Sequence, residues 1–356
     1  MPLAGLSIGK RSALLLDKEN MTKYSISPMS SLYELYLRHP RISTDSRRIE
    51  PDSVFFALRG ASFDGNRFAA DALEKGAAYA VVDDPSLPNT RPDKADRLIV
   101  VDDALQTLQA LAREHRRELG LPILAITGSN GKTTTKELVS RVLAEKYEVY
   151  ATRGNLNNHI GVPLTLLAMT RDVEFGIVEM GASACGEIAL LCSIAEPNYG
   201  IVTNIGRAHL EGFGGPEGVR RGKGELYDWL ARTGGRVFVP ANDPVLMSMA
   251  AERETLAAEC YPTTLADGME HHLEGDYNRF NVAAAVAVGR YFGVDDERIR
   301  YAVGSYRPDN HRSQKIRTGQ NTLILDCYNA NPSSMQASLV NFRQEPLEGC
   351  TRKILI

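Results

Sequence analysis

Residues 127–134 read Thr-Gly-Ser-Asn-Gly-Lys-Thr-Thr and stand directly between the apolar run Ile123-Leu124-Ala125-Ile126 and a helical stretch that begins at Lys132. No other feature restricts the fold as much. A glycine-containing turn between a buried strand and a helix gathers backbone N–H groups and the positive end of the helix dipole at one point, which is a site for a polyanion. Gly128 and Gly131 allow a ligand to approach the backbone closely. Lys132 can neutralise β- and γ-phosphate charge, and the Thr133 hydroxyl can ligate Mg²⁺. The general phosphate-loop pattern has a further glycine where Ile126 stands, so this is the shorter G-x-x-G-K-T form. A bare glycine turn ahead of an ordinary helix would not require strand, Gly-Lys-Thr and helix in this register. Thr127, Gly128, Ser129, Asn130, Gly131, Lys132, Thr133 and Thr134 are the expected contacts of a nucleotide and its Mg²⁺.

Around this loop, strand-like runs alternate with amphipathic helices, the pattern of an α/β protein with largely parallel sheets. Runs at 53–58, 78–82 and 98–101 and a helix over 104–119 predict a first compact unit at 22–119. The punctuation Gly120-Leu121-Pro122 opens a second unit, 120–308, with strands at 123–126, 176–179, 200–203 and 236–239. Helices are expected from 132 to 146 and from 282 to 292. A third unit, 309–356, starts with a strand at 322–325 and ends in another at 353–356. Its length is well short of the roughly 100 residues a compact nucleotide-type domain uses, so it reads as an incomplete domain.

A net charge of −3 gives no reason to expect nucleic acid or an anionic membrane surface as partner. Cys185, Cys192, Cys260, Cys327 and Cys350 are widely spaced without a CxxC pair, which suggests neither a disulfide framework nor a zinc site and fits a reducing cytoplasm. No apolar run approaches the ~20 residues that span a bilayer. Residues 1–21 contain the short apolar stretch 12–16, closed by Asp17-Lys18-Glu19, and read as an N-terminal extension rather than a secretory signal.

Downstream of the loop lie further polar residues at strand ends. Glu179 closes the strand before Met180-Gly181, where ligands of open α/β sheets bind, and a carboxylate there suits nucleotide-bound Mg²⁺. Alternatively it is a strand-end surface charge. His209, in Asn204-Ile205-Gly206-Arg207-Ala208-His209-Leu210-Glu211, is by itself more often a structural histidine, and Lys223 by itself a solvated lysine on a helix. The amides of Asn155, Asn157 and Asn158 suit a polar substrate or merely order a loop. Asn278 and Asn281 open an alanine-rich helix and would serve as caps if nothing else. From the third unit, Arg312 suits a phosphate and Asp326 a ribose hydroxyl.

The segment 127–137, TGSNGKTTTKE, resembles the ATP site of the Mur ligases and their folylpolyglutamate synthetase relatives. The likeness continues in Gly154-Asn155-Leu156-Asn157-Asn158-His159-Ile160-Gly161-Val162-Pro163, in 204–211 and in Asp326-Cys327-Tyr328-Asn329-Ala330-Asn331-Pro332, covering roughly 31–356. It implies a three-domain architecture with a central P-loop ATPase domain and a C-terminal Rossmann-like domain, here incomplete. It also implies residue roles: His209 as a metal ligand with Thr133 and Glu179, and Lys223 as a carbamylated lysine holding a second Mg²⁺. Asn278 would lie near the adenine, Arg312 and Asp326 on the nucleotide, and Asn155, Asn157 and Asn158 on the substrate. Ser43-Thr44-Asp45-Ser46-Arg47-Arg48 resembles the segment that grips the UDP end of the substrate, which makes Thr44, Asp45, Ser46 and Arg47 candidate contacts. The resemblance is strongest to the D-alanyl-D-alanine-adding branch, because Asn329 stands where sister ligases carry a histidine. The implied partners are UDP-N-acetylmuramoyl tripeptide and D-alanyl-D-alanine, the implied location is the cytoplasm, and a monomer is expected. The alternatives are a third-residue-adding Mur ligase, a folylpolyglutamate synthetase-like enzyme, and a non-catalytic fragment that binds nucleotide or UDP-sugar.

Overall fold

The computed structural model describes residues 28–308, 314–325, 332–344 and 351–355. The first unit comprises α1 (Pro28–Arg38), β1 (Arg41–Ser43), β2 (Ser53–Phe56), α2 (Ala69–Glu74), β3 (Tyr79–Val82), α3 (Leu87–Thr90) and β4 (Leu98–Val100). Its four strands pair in parallel in the order β1-β2-β3-β4. The helix α4 (Ala104–Leu119) then leads to the central unit, its first turn closed by the Asp103 carboxylate accepting from the Gln106 N–H.

The central unit runs β5 (Ile123–Thr127), α5 (Lys132–Ala144), β6 (Val149–Ala151), α6 (Gly161–Leu167), β7 (Phe175–Glu179), α7 (Glu187–Ala195), β8 (Tyr199–Val202), α8 (Leu210–Phe213), α9 (Pro216–Thr233), β9 (Arg236–Pro240), α10 (Pro244–Ala251), β10 (Ala257–Tyr261), α11 (Asn278–Tyr291) and α12 (Asp296–Ser305). Six parallel strands order as β10-β9-β8-β5-β7-β6. Every residue of β5 and β7 is buried, because helices cover both faces, and such strands read as unbroken apolar runs. One core packs α5, α11 and α12 against the sheet through Leu138, Val142, Val286 and Ile299. The other packs α4, α6, α7 and α9 through Leu108, Leu166, Leu191 and Leu226, and it runs on without a break into Val54 and Phe56 of the first unit.

That continuity gives α4 a double role. It sits under β2 and α1, and it also lies on α6 and α7 of the central unit. A polar clasp reinforces the junction. Tyr36 on α1 donates to the Leu167 carbonyl at 2.6 Å, and its hydroxyl lies 3.3 Å from His115 Nε2. His115 Nε2 is 2.8 Å from the Met169 carbonyl and Nδ1 is 3.1 Å from the Tyr33 hydroxyl. A carbonyl only accepts, so Nε2 carries the proton and Nδ1 accepts from Tyr33. Burial depresses the His115 pKa and keeps the ring neutral.

The third segment holds β11 (Gln314–Arg317), β12 (Thr322–Leu325) and α13 (Pro332–Gln344). β12 falls where the sequence places it. β11, antiparallel to it, has no apolar run to announce it. The strand expected at 353–356 is not observed: 353–355 pair with no strand, and Ile354 and Leu355 are exposed. An apolar run becomes a strand only where a ladder partner takes its N–H and C=O groups. Arg312, Asp326 and Asn329 lie outside the described residues. Among the described residues, no helix is long and apolar enough to cross a membrane.

Candidate functional site

β5 is the point where the central sheet changes direction, with β7 on one side and β8 on the other. The crevice beyond the carboxyl ends of such strands is where open α/β sheets bind ligands. All three strands deliver polar residues there. From β5 comes the 127–134 turn, from β7 Glu179, and from β8 the segment 203–209.

The turn is held mainly from outside, by the segment that follows β8. The Ser129 N–H donates to the Asn204 carbonyl at 3.1 Å, and the Asn130 N–H donates to Asn204 Oδ1 at 3.1 Å. Asn204 Nδ2 and the Thr203 hydroxyl donate to the Asn130 carbonyl. Ser129 Oγ accepts the Gly206 N–H at 2.8 Å, and the Thr127 hydroxyl donates to the Met180 carbonyl. The amides of Ser129 and Asn130 are thus turned to the 204 segment. The first N–H groups of α5, from Lys132 on, have no intrahelical partner. There Gly131 sits at the cap position with φ +79°, no side chain caps the helix, and the first turn carries no acidic residue. This end of the dipole is uncompensated. Thr133 and Thr134 are buried beside it, and Lys132 folds back so that Nζ donates to the Gly128 carbonyl at 2.8 Å.

Glu179 faces this turn. Its Oε2 accepts from the Thr133 hydroxyl at 2.9 Å and its Oε1 accepts from Asn157 Nδ2 at 2.9 Å. It is 2% exposed, and both of these donors to its carboxylate are neutral. A buried carboxylate with only neutral donors is poorly compensated. A divalent cation fits that environment, and Mg²⁺ commonly takes one carboxylate, a hydroxyl and nucleotide phosphates rather than a full protein cage. No group of three or more His, Cys, Asp or Glu that could hold a metal occurs among the described residues.

His209 and Lys223 lie close enough to one another and to Lys132 for their charges to interact. His209 caps α8 in the left-handed region, φ +54°, a conformation a β-carbon makes unfavourable. Burial first, then the charges of Lys223 and Lys132, lower its pKa and favour the neutral ring whose lone pair can ligate. Lys223, on α9, is 2% exposed; its Nζ donates to the Ala182 carbonyl at 3.3 Å and lies 5.2 Å from the Phe213 ring centre. Burial and the nearby Lys132 charge lower its pKa to about 7. The solvated-lysine alternative therefore does not hold. Two residues on, Glu225 accepts the N–H groups of Gly186 and Ala189 and so ties α9 to the start of α7, next to Ala182.

The structure separates the remaining candidates. Of the three asparagines, Asn157 is the one that bonds to Glu179. Asn158 spends its side-chain oxygen on the N–H groups of Ile160 and Gly161 at the start of α6, and Asn155 is exposed. Neither Asn278 nor Asn281 caps α11. Asn278 Nδ2 donates to the Glu274 carbonyl, and Asn281 Nδ2 donates to Asn278 Oδ1 at 2.8 Å. Asn281 Oδ1 in turn accepts from the Thr135 hydroxyl at 3.0 Å and lies against Gly131. Asn281 and Asn204 are thus supports of the loop that sequence reading missed as site residues. Their only signal was an asparagine three residues after Asn278 and another at a strand end.

Thr44, Asp45, Ser46 and Arg47 form the turn after β1. Arg47 grips Asp45 with two guanidinium bonds of 2.8 Å, which holds the Asp45 carboxyl down at about 2, and Lys75 donates to the Ser46 carbonyl. Among the described residues, none of the four bonds to the phosphate turn. Beside the turn, a cleft of about 840 Å³ opens between Ile205, Gly206, Arg207, Tyr277 and α13.

A short phosphate turn at the switch point of a parallel sheet, answered by a buried carboxylate and a low-pKa lysine, defines an ATP-using α/β enzyme. The family models for the Mur ligase middle domain and for the Mur ligase family catalytic domain match residues 126–267 and 40–116. The chain is 36% identical over 343 residues to a UDP-N-acetylmuramoyl-tripeptide--D-alanyl-D-alanine ligase of Bacillus subtilis, covering 88% of this chain and 72% of that protein. Its Escherichia coli counterpart is 31% identical, covering 86% and 72%. The chain belongs to the Mur ligase family. Among solved structures, MurF from Acinetobacter baumannii superposes with a TM-score of 0.76 at 31% identity, covering 86% of this chain and 71% of that one. MurF ligase from Thermotoga maritima in complex with ADP gives 0.75 at 27%, covering 87% and 76%.

Proposed function

We propose that this chain joins D-alanyl-D-alanine to the free carboxylate of a UDP-N-acetylmuramoyl tripeptide, with ATP converted to ADP and phosphate, in building the peptidoglycan precursor. The carrying observation is the Thr133–Glu179 hydrogen bond, which sets a buried carboxylate against the phosphate turn in a chain 36% identical to a ligase of that name. A carboxylate is a poor electrophile. Transfer of the γ-phosphoryl group to its oxygen gives an acyl phosphate and ADP. The dipeptide amine then attacks the acyl carbon, a C–N bond forms, the C–O bond to phosphate breaks with its electron pair leaving on phosphate, and the amine loses a proton.

In this reading residues 22–119 hold the UDP end through Thr44, Asp45, Ser46 and Arg47, residues 120–308 hold ATP, and 309–356 open a third unit. The α5 N-terminus and Lys132 would receive the phosphates and neutralise charge that develops on transfer. Mg²⁺ bound at Thr133 and Glu179 would offset negative charge on the phosphates. Neutral His209 offers a nitrogen lone pair to the same cluster. With its pKa lowered to about 7, Lys223 has a substantial share of neutral amine near pH 7, the form that attacks CO₂: the N–C bond forms, one C=O pair moves to oxygen, and the nitrogen loses a proton. The resulting carbamate would be an anionic oxygen donor facing Lys132.

The test is ADP release by the purified chain with ATP, Mg²⁺, UDP-N-acetylmuramoyl tripeptide and D-alanyl-D-alanine, omitting each in turn. ADP should appear only in the complete mixture, together with the pentapeptide product. Release that needs a diamino acid instead, or nucleotide binding without any turnover, refutes the assignment. A cytoplasmic location follows from where such precursors and ATP coexist.

A further inference from the structure

Lys136 is a buried cation that none of the chemistry above uses. It stands one helical turn beyond Lys132 on α5 and is 1% exposed. Its Nζ donates to the Thr152 carbonyl at 2.6 Å and lies 2.8 Å from the Glu137 carboxylate, which reaches solvent. Burying an ammonium is unfavourable unless its bonds serve a purpose, and an apolar side chain of similar length would fill the same space more cheaply. The bond it makes leads to the site. Thr152, itself 1% exposed, accepts the backbone N–H of Glu179 on its hydroxyl at 3.0 Å, and its own N–H donates to the Ile177 carbonyl.

We infer that Lys136 and Thr152 are positioning residues that fix Glu179 from its backbone side for the nucleotide-bound Mg²⁺. The carboxylate of Glu179 is oriented by Thr133 and Asn157, and its main chain is anchored by Thr152. Thr133 and Lys136 lie three residues apart on α5, so the helix that presents the phosphate donors holds Glu179 at both ends. Turn and carboxylate therefore keep one spacing. Partners one step behind a metal ligand act in this way, by restricting the ligand's orientation before the metal arrives. The inference rests on the reading of Glu179 as a metal carboxylate.

The test is the affinity for ADP, by calorimetry, with EDTA and with Mg²⁺, in the wild-type chain, Lys136→Met, Thr152→Val, the double variant and Thr152→Ser. Melting curves check that each is folded. Mg²⁺ should tighten ADP binding in the wild type. That gain should shrink about tenfold in Lys136→Met and in Thr152→Val, while the affinity in EDTA stays within about twofold. The double variant should lose no more than either single one, and Thr152→Ser, which keeps the hydroxyl, should retain the full gain. An undiminished Mg²⁺ gain in folded Lys136→Met or Thr152→Val overturns the inference, as does additive loss in the double variant. If Lys136→Met does not fold, the Val and Ser variants at Thr152 decide alone. A wild-type chain that binds ADP with no Mg²⁺ gain instead removes the metal reading of Glu179.

Discussion

Replacing Gly131 with alanine loads the phosphate turn with both backbone strain and a steric clash. Gly131 sits at φ +79°, where an added β-carbon costs roughly 1–2 kcal/mol of backbone strain. That carbon would also lie 2.7 Å from Asn281 Oδ1, well inside contact distance. Asn281 must then move, and it cannot do so without disturbing the bonds from the Thr135 hydroxyl and to Asn278, 3.0 and 2.8 Å long. Two buried hydrogen bonds at about 1 kcal/mol each bring the total to about 3 kcal/mol. Gly154 is the natural control. It has φ +56° but nothing within 4 Å of its β position, so Gly154→Ala carries the strain alone, about 1 kcal/mol. Urea unfolding of the two variants and wild type measures the difference, and ADP titration reads the turn. Gly131→Ala should lose about 2 kcal/mol more than Gly154→Ala and bind ADP more weakly, with Gly154→Ala unchanged in binding. Equal losses, or wild-type ADP affinity in Gly131→Ala, would refute the claim that the turn is set by contact with α11.

Thr133→Val removes the hydroxyl that bonds Glu179 at 2.9 Å without changing side-chain size, and should cut the Mg²⁺ gain in ADP affinity by about tenfold or more in calorimetry. Leu108→Ala opens a cavity in the core shared by the first and central units and should cost about 3 kcal/mol; a single urea transition reporting both units would show that they unfold together, and two separate transitions would contradict the shared core. His115 is held neutral by burial, with its pKa depressed below 6.5, so the folded chain binds fewer protons than the unfolded one in acid. Stability should be level above the ordinary imidazole range and fall as pH drops through it, by at most about 1.4 kcal/mol per pH unit. In His115→Gln, less stable throughout for want of the Tyr33 and Met169 bonds, that acid slope should be shallower in urea titrations at several pH values.

The phosphate turn is legible in the chain's linear order. Strand, glycines, Lys132 and Thr133 are adjacent in sequence, and local geometry determines where their donors point. The buried strands 123–127 and 175–179 are legible for a related reason, since unbroken apolar runs between turns have few other stable fates. The polar pattern of 41–47 and 314–317 hides β1 and β11, because a short strand at a sheet edge needs a neighbour's hydrogen bonds more than it needs an apolar composition.

What the sequence could not contain is which distant polar groups meet. Asn204 closes on Asn130, Asn281 on Thr135, and Lys136 on Thr152, across 74, 146 and 16 residues of chain. Lys223 by its sequence context is a solvated helix lysine, and only the packing of α9 against Phe213 and Ala182 removes it from water and brings its pKa to about 7. Local chain chemistry thus selected the nucleotide loop and the α/β architecture. Solvent exclusion and partner geometry, which exist only once β5, β7 and β8 lie side by side, decided which of the candidate side chains could act together.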